Sequence, residues 1–112
     1  MNRKYDPGML LLQLALHYES IGKAAFSADV ADLKNSYIQI VRKDPKAPDF
    51  RILKDPNRSD ASVLFLSGDR LMGNNELEKE KENLGKVTVS YEGRPPVIFD
   101  TFQDFLKWLG IE

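Results

Sequence analysis

Between Lys86 and Leu109 the hydrophobic period of the chain switches from two to 3.6, and that switch constrains the fold more than any other stretch. Val87, Val89 and Tyr91 alternate with Lys86, Thr88 and Ser90, so a strand here has one apolar and one polar face. Glu92-Gly93-Arg94 reads as a turn, because glycine can take the left-handed backbone that a short hairpin loop often needs. Val97-Ile98-Phe99 is the returning strand. Pro95 and Pro96 cannot donate ladder hydrogen bonds, which confines its start to an edge or an unpaired position. Beyond it, Phe102, Phe105, Leu106 and Leu109 fall at i, i+3, i+4 and i+7, one face of a helix. Asp100 or Thr101 supplies the N-cap, each with a polar residue three positions on, Gln103 or Asp104. Lys107 sits in the last turn, where the macrodipole favours a cation, and Gly110 is placed as the C-terminal cap. Trp108 lies beside the stripe and reads either as core or as a surface anchor for a partner.

The N-terminal part supplies what this hairpin and helix pack against. Asp6-Pro7 is a helix start, with Asp6 as cap and Pro7 in the first helical position. The helix is expected to run to about Ile21 and to end at Gly22. Leu10, Leu14 and Ile21 share a face, and Leu11, Leu12, Ala15 and Leu16 widen the apolar surface almost all round. A helix this apolar is covered on more than one side, by a sheet and a second helix or by a second copy of the chain. On the second alternative, part of this helix forms a homodimer contact. A second helix is expected from Ala28 to Lys43, capped by Ser27 and stopped by Asp44-Pro45. Val30, Leu33, Tyr37, Ile40 and Val41 repeat there at helical spacing, yet residues 36–41 also read as a strand, being rich in β-branched and aromatic residues.

Three prolines punctuate residues 44–61, with Phe50-Arg51-Ile52-Leu53 as a short strand among them. Ser62 to Leu66 is a denser strand, apolar enough to be central. Ser67-Gly68-Asp69 is a turn, Gly73-Asn74-Asn75 a second breaker, and Glu76 to Leu84 a charged helix that Asn75 caps and Gly85 ends. The expected fold is α+β: two N-terminal helices packed on a small antiparallel sheet, with a β-hairpin leading into a C-terminal helix. Residues 1–112 read as one domain, long enough to bury a core without staples.

Composition narrows function mainly by exclusion. There is no cysteine, so disulfides, thiolate chemistry and cysteine zinc sites drop out. A net charge of −1 gives no overall drive toward nucleic acid or anionic lipid. The apolar run from Met9 to Leu16 is too short to span a bilayer and is a poor signal sequence, so a soluble, cytoplasmic protein is expected. His17 is the one histidine. Its neighbour Glu19 is on another side of the helix and cannot orient it as a general base, so it reads as a boundary residue beside the core. Asp69, Asn74, Asn75 and Glu76 lack calcium-loop spacing, and Ser67-Gly68 is not followed by a phosphate-loop Gly-Lys-Ser/Thr. The reading is of a non-enzyme with no catalytic, cofactor-binding or metal-ligating set.

Charge is uneven. Residues 42–58 carry Arg42, Lys43, Lys46, Arg51, Lys54 and Arg58 against three aspartates, a local +3. Residues 76–82 carry four glutamates against two lysines, a local −2. Two solvated surfaces account for this, and so does a pair of partner contacts. The partner-binding residues expected on the second account are Arg51, Lys54, Arg58, Glu76, Glu80 and Trp108. The run Phe99-Asp100-Thr101-Phe102-Gln103-Asp104-Phe105-Leu106 resembles the closing strand and helix of the SUKH immunity superfamily, over eight of 112 residues. That resemblance implies an immunity-type protein binder and transfers no site residue. The expected function is thus a small protein-binding module: an adaptor, inhibitor or immunity-type protein. The alternative is a winged-helix-like nucleic-acid binder, with Ser27-Ala28-Asp29-Val30-Ala31 opening a helix-turn-helix and Arg42, Lys43 and Arg94 near the duplex.

Overall fold

The computed structural model describes residues 6–21, 35–60, 62–73, 75–91 and 94–111. Among them the chain forms a six-stranded antiparallel sheet and three α-helices. Helix α1 is Pro7–Ile21. The strands are β1 Tyr37–Arg42, β2 Phe50–Lys54, β3 Val63–Ser67, β4 Arg70–Leu71, β5 Leu84–Ser90 and β6 Val97–Phe99. Helix α2 is Glu76–Glu80 and α3 is Phe102–Leu109. The sheet order is β4-β3-β2-β1-β5-β6. The first four strands form a meander, and β5 then adds to the other side of β1.

Strand β1 is the main correction to the sequence reading. Residues 37–42, expected as the second half of a helix, pair with β2 through Ile38↔Ile52 and Ile40↔Phe50, and with β5 through Ile38↔Val89 and Ile40↔Val87. Two flanking strands satisfy both edges of this β-branched run, which no single helix face does. The fold therefore has one N-terminal, one middle and one C-terminal helix among the described residues, not two at the N-terminus. Residues 28–34 of the expected helix, with its Ser27 cap, lie outside the described residues. So do Gly22, Asn74 and Glu92-Gly93.

The helices cover one sheet face. Ile38, Ile40, Phe50, Ile52, Val87 and Val89 point to it and are wholly buried. Helix α1 packs on β2 and β3, and α3 on β5 and β6. Asp6 caps α1: its Oδ1 accepts from the amides of Gly8 (2.9 Å) and Met9 (3.3 Å). Thr101 is the α3 cap, its hydroxyl accepting from the Asp104 amide at 3.0 Å. Gly110 closes that helix at φ +82°. All four stripe residues, Phe102, Phe105, Leu106 and Leu109, are buried. Helix α2 is shorter than expected: a 3₁₀ turn takes over at Lys81–Asn83, and Leu84 already belongs to β5. Asn75 stands at the N-cap of α2 without a side-chain capping bond. Between Leu84 and Val87, β5 carries one extra residue opposite Val41, which turns both Leu84 and Val87 into the core. A Cβ at Gly85 would lie 3.1 Å from the Val41 carbonyl oxygen.

Candidate functional site

The charged segments that sequence sets apart meet in space. Arg42 leaves the end of β1 on the helix-covered side, lays its guanidinium 4.0 Å above the Phe50 ring, and donates to Glu80 of α2 at 2.8 Å. Its other terminal nitrogen donates to the Ser67 hydroxyl (3.2 Å) and the Pro48 carbonyl (3.3 Å). The Arg42 side chain is only 13 % exposed and that of Glu80 26 %, so this pair is screened far less than a surface pair. Glu80 is thereby engaged within the molecule. A groove of about 460 Å³ beside it is lined by Arg42, Asp44, Ala47, Glu80 and Asn83.

The remaining expected contact residues are scattered. Lys54 is buried, and its ammonium donates to the carbonyls of Asp55 (2.7 Å) and Arg58 (2.6 Å), closing the turn that follows β2. Arg58 is exposed and lies 3.5 Å from Asp60. The Ser62 hydroxyl and amide, with Arg58, hold the Asp60 carboxyl down at about 2. Glu76 faces Lys79 at 3.9 Å on the same short helix. Trp108 is half-buried against His17, Phe99 and Phe105, with ring centroids 4.1, 5.1 and 6.4 Å away. Burial lowers the pKa of His17 below its usual value. Arg51 alone of the six lies on the sheet face away from the helices. Its side chain is 45 % exposed, touching Asp69 at 4.0 Å and the Gly68 carbonyl at 3.3 Å.

That open face holds the surface that charge counting missed. The register lines up Leu71, Leu66, Arg51, Gln39, Thr88 and Ile98 in one row across all six strands. Leu64, Leu53, Tyr37 and Ser90 form the next. Tyr37, Leu53, Leu64 and Leu66 are half-buried. Leu71 and Ile98 are 66 % and 64 % exposed. The signal was present in β3: Val63-Leu64-Phe65-Leu66 is apolar on both faces, whereas a strand with one solvated face alternates. Over β1 and β2 the face dips into a slot of about 290 Å³ lined by Asn35, Ser36, Tyr37, Gln39, Arg51 and Leu53.

Among the described residues no three His, Cys, Asp or Glu side chains gather as a metal site, and no helix is long and apolar enough to cross a membrane. Comparison with protein-family models, curated proteins and solved structures finds no match to the chain.

Proposed function

We propose that this chain is a small non-catalytic protein-binding module whose contact surface is the open face of the sheet. The observation that carries the reading is the pair of adjacent rows with exposed and half-buried apolar side chains, Leu71, Leu66 and Ile98 in one and Leu64, Leu53 and Tyr37 in the other, on the face opposite the helices. Apolar side chains gathered on one face with Arg and Tyr among them are what a protein interface core contains. The internal pairing of Arg42 with Glu80 moves weight from the basic and acidic segments to this face. The test is a Leu71→Lys, Ile98→Lys double variant with an unchanged thermal melt. Wild-type protein immobilised as bait captures a partner from cell extract, and the variant loses it. Equal capture by the variant refutes the open face as the contact surface.

Self-association through α1 is a second reading, supported by Met9 and Leu12, which are 49 % and 38 % exposed beside the buried Leu10 and Leu11. Sedimentation of wild type against Met9→Lys, Leu12→Lys decides it. A wild type that sediments as a monomer at all concentrations rules it out.

A further inference from the structure

The slot on the open face has a chemistry more specific than the surface around it. Its floor is where two ladder pairs stack, Tyr37↔Leu53 and Gln39↔Arg51. The first pair is an apolar and aromatic wall and the second is polar. The Gln39 amide nitrogen donates to Asp49 at 2.6 Å, which fixes the amide and turns its carbonyl oxygen away from Asp49. Arg51 is held loosely: its contact with Asp69 is 4.0 Å long, Asp69 is fully exposed, and the bond to Gly68 is at the long end of the range. A guanidinium carries five N–H donors in a planar fork, and these two contacts use only part of it. A volume of about 290 Å³ is ample for one acidic side chain and lies at the lower edge of the range of small-molecule pockets, about 300–1,000 Å³.

We propose that this slot receives a single acidic side chain of the protein partner, with the carboxylate on Arg51 and its methylene stem on Tyr37 and Leu53. This rests on the reading of the open face as a protein-binding surface and names the chemistry at its centre. The complementarity lies in the Arg51 guanidinium alone, since Asp69 stands 4.0 Å from it and Asp49 is held by Gln39 at 2.6 Å. Arg51 sits in the middle of the row, flanked by the neutral Leu66 and Gln39, so an incoming carboxylate replaces a weak, solvent-exposed contact to Asp69 with a bidentate one partly shielded from water. The leucines around it then form the apolar ring that excludes water from a central polar anchor.

The experiment is selection of a random dodecapeptide phage library on the whole wild-type chain and on an Arg51→Glu variant of unchanged melt. Wild type enriches peptides with one Glu or Asp flanked by apolar residues, and Arg51→Glu loses that preference or exchanges it for Lys and Arg. A synthetic wild-type-selected peptide with its acidic residue changed to the amide binds about tenfold more weakly, the loss expected for one charge-assisted contact. Peptides enriched without an acidic position, or the same consensus on both baits, overturn the slot assignment while leaving the binding face standing. Recovery of no peptide by either bait, or displacement of bound peptide by single-stranded oligonucleotide alone, counts against the protein-binding reading and the slot together.

Discussion

Replacing Arg42 tests whether the basic and acidic segments hold each other rather than a partner. At a charge separation of about 4 Å and an effective dielectric of about 20, the attraction to Glu80 is about 4 kcal/mol. Desolvation of both ions offsets much of it, and the Arg42 Nε, buried with no hydrogen-bond partner, lowers the net gain further. The stack on Phe50 adds about 1 kcal/mol. Truncation to Ala also strands the buried Ser67 hydroxyl, whereas Glu80, about a quarter exposed, is partly rehydrated. The expected loss is about 2–4 kcal/mol for Arg42→Ala and about 1–2 kcal/mol for Glu80→Gln, with a coupling of about 1–2 kcal/mol in the double variant. At about 4 °C per kcal/mol for a chain of this size, Arg42→Ala melts about 8–16 °C lower. Urea unfolding followed through Trp108, the single tryptophan, measures all three variants. If Arg42→Ala unfolds within about 0.5 kcal/mol of wild type, or the two changes are additive, α2 is not latched to the sheet by this pair and both segments are again available to a partner.

Phe105→Ala empties a fully buried site ringed by Phe99, Phe102 and Trp108 and lowers stability by about 3–5 kcal/mol; a melt unchanged within error means that α3 is not docked. Gly110→Ala forces a side chain into φ +82° and loses about 1–2 kcal/mol, whereas an unchanged urea midpoint refutes the left-handed cap. His17 titrates below its usual value because it is partly buried, so the unfolded chain takes up its proton first as pH falls. Stability therefore declines from about pH 6.5 downward, through the window between the unfolded and folded pKa values. Native Trp108 fluorescence, quenched by a protonated imidazole 4.1 Å away, has its midpoint below 6.5, and a midpoint at or above that value contradicts the packing.

The C-terminal third was readable because each of its signals is local. The alternation of Val87 and Val89, the Thr101 cap, the four-residue stripe and Gly110 all act within one turn or one strand. Residues 37–42 were ambiguous for the same reason. Tyr37 and Ile40 suit a helix and Ile38 and Ile40 suit a strand, and only β2 and β5 on either side decide between them. The pairing of Arg42 with Glu80 spans 38 positions, and nothing in either segment registers the other. Lys54 read as a cation for a partner, yet the strand parity that buries Ile52 buries it too, and the carbonyls of Asp55 and Arg58 in the following turn take its ammonium. Tyr37 and Leu53 come together in the slot only through register, which the sequence does not state.

The sheet order also sets the sequence of events in folding. β1 through β4 can assemble by successive short-range pairings, but the other edge of β1 waits for β5, and Ile40 pairs with Val87, 47 positions later. Loop closure over that distance is slow compared with hairpin formation. As a chain emerges from the ribosome, the strand destined for the middle of the sheet is an edge until residues 84–90 arrive. Its buried pair Ile38 and Ile40 lies beside that open edge meanwhile. The last quarter of the chain then caps the edge with β5 and covers its apolar side with α3, so chains ending before Leu84 are the ones most exposed to strand-to-strand aggregation.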